Sequence, residues 1–143
     1  MIFVLPPRYI LVLPEIIMKL TLKCLNECFT VHRLPVNSEI PPQVFSASIY
    51  FIAKTFDEVS IVLPQSIVLD SDKAETDWQA LQVVGPLDFS LTGILSNIAT
   101  VLANEKISIF AISTFDTDYI LVKKDALSTA ISVLNANDYK IIT

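Results

Sequence analysis

The chain has 143 residues, 52% of them hydrophobic, with a formal net charge of −5 and one histidine. A pI near 4.7 and the absence of any Lys/Arg cluster remove the basic stripe that phosphate contacts require, which excludes a nucleic-acid partner. A mean hydropathy of +0.57 leaves too little polar surface to cover a small monomer, so a homo-oligomer is expected.

In chain order, residues 1–18 come first and are very apolar. Pro6, Pro7, Arg8, Pro14 and Glu15 interrupt them well short of the ~20 apolar residues of a membrane-spanning helix. They also lack the basic start and small-residue cleavage site of a signal peptide. They are expected to be an unplaced leader, an extra strand or a dimerisation arm, with no membrane role. Residues 20–24 and 28–34 are short β-rich runs joined at Asn26-Glu27, a pattern that predicts a hairpin. Residues 35–42, with Pro35, Pro41 and Pro42, predict a loop. Residues 49–54 and 59–63 are strand-like, and the polar stretch 70–77 predicts a linker.

The second half is more regular. Residues 78–84 (WQALQVV) predict a strand, and Gly85 to Asp88 a turn. Leu91, Ile94, Leu95, Ile98, Val101 and Leu102 recur at helical spacing. Asp88 or Ser90 is placed to cap this helix, and Asn104 to end it. Strands follow at 107–113 and 119–122, then a helix capped by Asp125 with the stripe Leu127, Ala130, Ile131 and Leu134, and a last strand at 139–142. The order from Trp78 is βαββαβ, the unit of a four-stranded antiparallel sheet with two helices on one face. The fold class is α+β, ferredoxin-like.

An internal repeat supports a two-part organisation. Thr55-Phe56-Asp57 recurs as Thr114-Phe115-Asp116, and Ser60 to Leu63 falls on Tyr119 to Val122 in the same register. Both copies are strand, polar turn, strand, a sign of two related units. The first copy shows no long helix.

Catalysis is not expected. His32 is the only histidine, and Gly85 and Gly93 are the only glycines, too few for a phosphate-cradling loop. No nucleophile-elbow serine motif is present. Cys24, Cys28 and His32 give three evenly spaced ligands where a closed zinc site takes four, so no metal is expected; buried cysteines and a surface His32 are. Two cysteines do not make a disulfide framework, and a cytoplasmic location fits. No cofactor is indicated.

The runs Gly85-Pro86-Leu87-Asp88-Phe89-Ser90-Leu91-Thr92-Gly93-Ile94-Leu95 and Ser113-Thr114-Phe115-Asp116-Thr117-Asp118-Tyr119 resemble the tandem ACT-domain proteins of bacteria, relatives of the ACT pairs in the cytosolic arginine sensor of animal cells. Residues 54–62 resemble that family's first unit. The resemblance leaves 1–18 as an unplaced apolar leader and implies a degenerate N-terminal ACT-like unit at 19–70 and a C-terminal ACT domain at 71–143. It also implies a non-catalytic regulatory module. In that family an amino acid or similar small metabolite sits where the turn after the first strand faces a partner unit. A separate protein target would read the bound state.

The residues fit such a ligand. Free N–H groups of the turn, with the helix dipole behind them, favour a carboxylate, and Gly85 lets backbone approach it. Asp116 and Asp118 can accept from an ammonium, with Thr114 and Thr117 as neutral partners. Leu87, Asp88 and Phe89 complete the candidate site; Leu87 or Phe89 filling the ligand space would instead make a ligand-free interaction and oligomerisation module. Simpler roles stand beside these. Asp88 serves equally as a helix cap, and Asp116 and Asp118 as turn formers. Gly93 suggests close helix–sheet packing as much as ligand access, and Phe89 and Phe115 suit the core.

Overall fold

The computed structural model describes residues 20–85 and 93–143, in seven strands and two α-helices. The strands are β1 (Thr21–Pro35), β2 (Phe51–Lys54), β3 (Glu58–Pro64), β4 (Lys73–Gly85), β5 (Ile109–Ser113), β6 (Asp118–Lys123) and β7 (Lys140–Ile142). The helices are α1 (Ile94–Asn104) and α2 (Leu127–Ala136). The chain forms two compact units, one holding residues 20–24 and 81–143, the other Leu25–Ala80. The second is thus inserted in the sequence of the first, and the expected boundary at 70/71 falls inside it.

The first unit runs β4-α1-β5-β6-α2-β7, the βαββαβ order predicted from periodicity. Its core gathers one side of each element: Leu22 and Cys24, Leu81 and Val83, Ile120 and Val122, with Ile98 and Leu102 from α1 and Ala130 and Leu134 from α2. The two-residue alternation along the strands sends one set of side chains to the helices. Each fully buried leucine or isoleucine contributes ~1.5–3 kcal/mol. One departure is that β7 lies parallel to Thr21–Lys23 of β1, so this sheet is mixed. β5 and β6 pair antiparallel.

Both helices end alike. The amide of Ile107 donates to the Leu102 carbonyl at 3.0 Å and that of Lys106 to Ala103 at 2.9 Å; Tyr139 and Asp138 repeat this on Leu134 and Asn135 at 3.0 and 3.2 Å. These are Schellman closures, with Lys106 (φ 58°) and Asp138 (φ 72°) in the left-handed position that glycine usually takes. Asn104 ends α1 as expected. Asp125 does not cap α2 through its side chain; it lies in a 3₁₀ turn, Lys124–Ala126, that leads into the helix.

The second unit places β3 between β2 and β1, both antiparallel to it, with β4 on the far side of β1. No α-helix occurs here. Leu34, Val59, Ile61 and Leu63 are instead covered by Val44, on a 3₁₀ turn (Pro42–Ser46), and by Leu69.

Two sequence expectations fail in informative ways. Asn26-Glu27 makes no hairpin: β1 is one strand of 15 residues, and these two polar residues are exposed within it. Pairing along the strand overrides local turn preference. Residues 70–77 are not all linker, because β4 starts at Lys73 and its first five residues are exposed. Their polarity reflects solvent exposure on a strand.

Candidate functional site

The candidate site lies in the first unit and begins at the β5–β6 turn. Thr114 builds that turn. Its backbone N–H donates to the Thr117 carbonyl at 2.8 Å, its hydroxyl donates to the same carbonyl at 3.0 Å, and its Oγ1 accepts the Thr117 N–H at 3.2 Å. A threonine heading a two-residue loop thereby satisfies the backbone groups that the loop would leave open. Asp116 and Phe115 occupy the exposed tip, while Thr117 and Asp118 are half-buried. Asp118 opens β6 opposite Ser113.

The Thr117 hydroxyl donates to the carbonyl of Val83 on β4. This bond fastens the turn to β4 two residues before Gly85, where that strand ends. The end of β4 and the turn carrying Asp116 and Asp118 are therefore neighbours. No ion pair engages either carboxylate among the described residues. Two oxygen acceptors without a cation, next to a strand end, can receive an ammonium group.

Leu87, Asp88 and Phe89, the other expected site residues, lie outside the described residues, as does Ser90. Gly93 is not inside the helix. It precedes α1 at φ 75°, and a Cβ built on it would meet nothing within 4 Å. Its backbone conformation, rather than tight packing, is the reason for glycine there. Phe115 is not core: it is 92% exposed. His32 is not on the surface but 4% exposed, in the second unit. Among the described residues no three His, Cys, Asp or Glu side chains are placed to hold a metal. None of their helices is long and apolar enough to cross a membrane. The Thr117–Val83 bond was beyond sequence reasoning, which cannot tell which carbonyl a turn threonine reaches.

Residues 73–136 match the model of the ACT domain. This part of the chain is an ACT domain. The chain is 30% identical over 131 residues to subunit 1 of the cytosolic arginine sensor for mTORC1 of Pongo abelii, covering 85% of this chain and 40% of that protein. It thus spans well under half of that relative. Protein Atu0741 of Agrobacterium tumefaciens shares the fold with a TM-score of 0.82 and 28% identity, over 88% of this chain and 94% of that one. Aspartate kinase of Clostridium acetobutylicum, described as an allosteric enzyme, superposes at a TM-score of 0.56 and 20% identity, over 78% of this chain and 33% of that one. That last likeness concerns the fold. The ACT domain's first strand and both its helices fall within the matched residues, and the candidate turn lies between them.

Proposed function

We propose that the chain is a non-catalytic regulatory module whose ACT domain binds an amino acid or similar small metabolite at an ACT–ACT interface. The observation that carries this is the Thr117–Val83 bond, which sets Asp116 and Asp118 beside the end of β4. In this reading the two carboxylates take the ammonium, Thr114 and Thr117 keep the turn in place, and backbone following Gly85 takes the carboxylate. Leu87, Asp88 and Phe89 join the site on the strength of the sequence alone. A homo-oligomer supplies the facing unit. Ligand binding favours one packing of the units, and a partner protein reads the shift. The sensor named among the relatives supports the ligand class.

The test is the thermal midpoint of the full chain against the twenty amino acids. A ligand at a hundred times its Kd stabilises by ~2.7 kcal/mol, an upward shift of several degrees. One clear responder whose shift disappears in Asp116→Ala or Asp118→Ala supports the sensor. A flat panel at millimolar concentrations favours a second reading, a ligand-free interaction module. The exposed Phe56 and Phe115 speak for that alternative.

A further inference from the structure

His32 is the chain's one histidine, and it sits on the apolar side of β1 in the second unit. It lies opposite Ile61 of β3 and on the same strand face as Leu34, facing the Val44, Val59, Ile61, Leu63 and Leu69 cluster. Its Nδ1 is 2.8 Å from the Ser71 hydroxyl. That hydroxyl donates its only proton to the Lys73 carbonyl at 3.2 Å, so its oxygen accepts from the ring. With that bond made, the neutral imidazole carries its proton on Nδ1 and presents a bare Nε2. This nitrogen is buried and has no hydrogen-bond partner among the described residues.

The imidazole helps to hold the start of β4. Beside it the Asp72 N–H donates to the Arg33 carbonyl at 3.0 Å, and the Arg33 guanidinium meets the Asp72 carboxylate at 2.7 Å. The Arg33–Asp72 pair is half-exposed and contributes little. The other charged groups of the unit's elements do not offer Nε2 an acceptor. Glu58 of β3 takes the Ser60 hydroxyl at 2.5 Å; Glu27 of β1, Lys54 of β2, Lys73, Glu75 and Asp77 of β4, and the loop residues Glu39, Asp57 and Asp70 are exposed, and the 42–46 turn has no charged residue.

We propose that His32 is an acid-sensitive latch of the second unit: protonation at Nε2 puts an unpaired charge into the apolar cluster and loosens the hold of residues 71–73 on β1. Burial pushes the ring's pKa below its usual 6.5. The unfolded chain thus binds a proton that the folded unit refuses. The stability from this group is complete above pH 6.5 and is lost as pH falls from there toward the folded value. The latch works without any ligand.

Because the chain has one imidazole, its NMR titration needs no assignment by mutation. The ring should titrate below pH 6.5, from the Nδ1–H tautomer. Amide-exchange protection factors for β1 and β3 in the second unit should fall by up to about tenfold between pH 7.5 and 5.5, since one extra proton on the open form gives tenfold per unit. Those of β5 and β6 should hold within about twofold over that range. His32→Asn keeps an N–H donor near Ser71 without titrating, and should abolish the fall. A ring titrating at or above 6.5, an equal fall in both units, or the same fall in His32→Asn overturns the latch. If His32→Asn does not fold, the wild-type ring titration and the comparison of units decide.

Discussion

The β2–β3 and β5–β6 turns are made from the same parts and differ in one residue that matters. In each, a threonine backbone N–H bonds the carbonyl three residues on, at 2.9 Å for Thr55 and 2.8 Å for Thr114. In each, the threonine oxygen accepts a backbone N–H at 3.2 Å and a phenylalanine stands exposed at the tip. At the fourth position the copies part. Thr117 reaches the Val83 carbonyl, while Glu58 in the same place turns its carboxylate to Ser60. The threonine at the head of the turn thus sets its local shape, and the residue three positions later decides whether the turn is tied to a neighbouring strand. Only the β5–β6 copy makes that tie, and it is the copy on which the proposed site rests.

The units themselves give the largest contrast to test. Leu102 of α1 and Leu63 of β3 are both fully buried, the first where helices cover strands, the second under a 3₁₀ turn and loop. Leu102→Ala and Leu63→Ala should each cost ~2–5 kcal/mol in urea unfolding. The thinner cover of the second unit collapses more easily, so Leu63→Ala belongs at the lower end. The reverse order would mean that the 3₁₀ cover packs as rigidly as a helix.

Next in size is the fastening bond. Thr117→Val keeps the β-branched shape but leaves the Val83 carbonyl without its donor, a loss of ~1–3 kcal/mol. It should also remove any amino-acid response found in the melts. Thr114→Val and Thr55→Val should each cost ~1 kcal/mol and match each other to within ~0.5 kcal/mol, because each deletes the threonine oxygen that accepts the backbone N–H three residues on at 3.2 Å. A Thr117→Val variant no weaker than Thr114→Val would show that the contact with β4 adds nothing.

Much of the ACT domain was legible in the sequence because its elements show one clean period each. The stripe of Ile98 and Leu102, that of Ala130 and Leu134, and the alternation of Ile120 and Val122 all face one core. What escaped was whatever depends on a distant partner. Leu22 and Cys24 announce a buried strand face, but nothing in them says that β7 runs parallel beside it or that their unit resumes only at Leu81. His32 shows the same limit: its burial depends on β3 opposite it and on Ser71, 39 residues away in the sequence. Around the candidate site, the turn between β5 and β6 was legible from residue type and spacing, since turn chemistry is local. The bond that joins them to β4 was not.

The smallest expected effect bears on what the two turns share. Phenylalanine is among the residues most often buried, yet Phe56 is 100% and Phe115 92% exposed. A side chain already in water gives up almost no burial when replaced, so Phe56→Ser and Phe115→Ser should each change stability by less than ~0.5 kcal/mol. Measured at low protein concentration, the two should be indistinguishable. At high concentration they separate if one turn lies in a contact between copies, because binding adds burial that the single chain lacks. Phe115→Ser lowering the association constant while Phe56→Ser leaves it unchanged would put the facing unit at the β5–β6 turn, where the proposed ligand needs it. The opposite result would assign that contact to the second unit and leave the Asp116–Asp118 turn open to solvent.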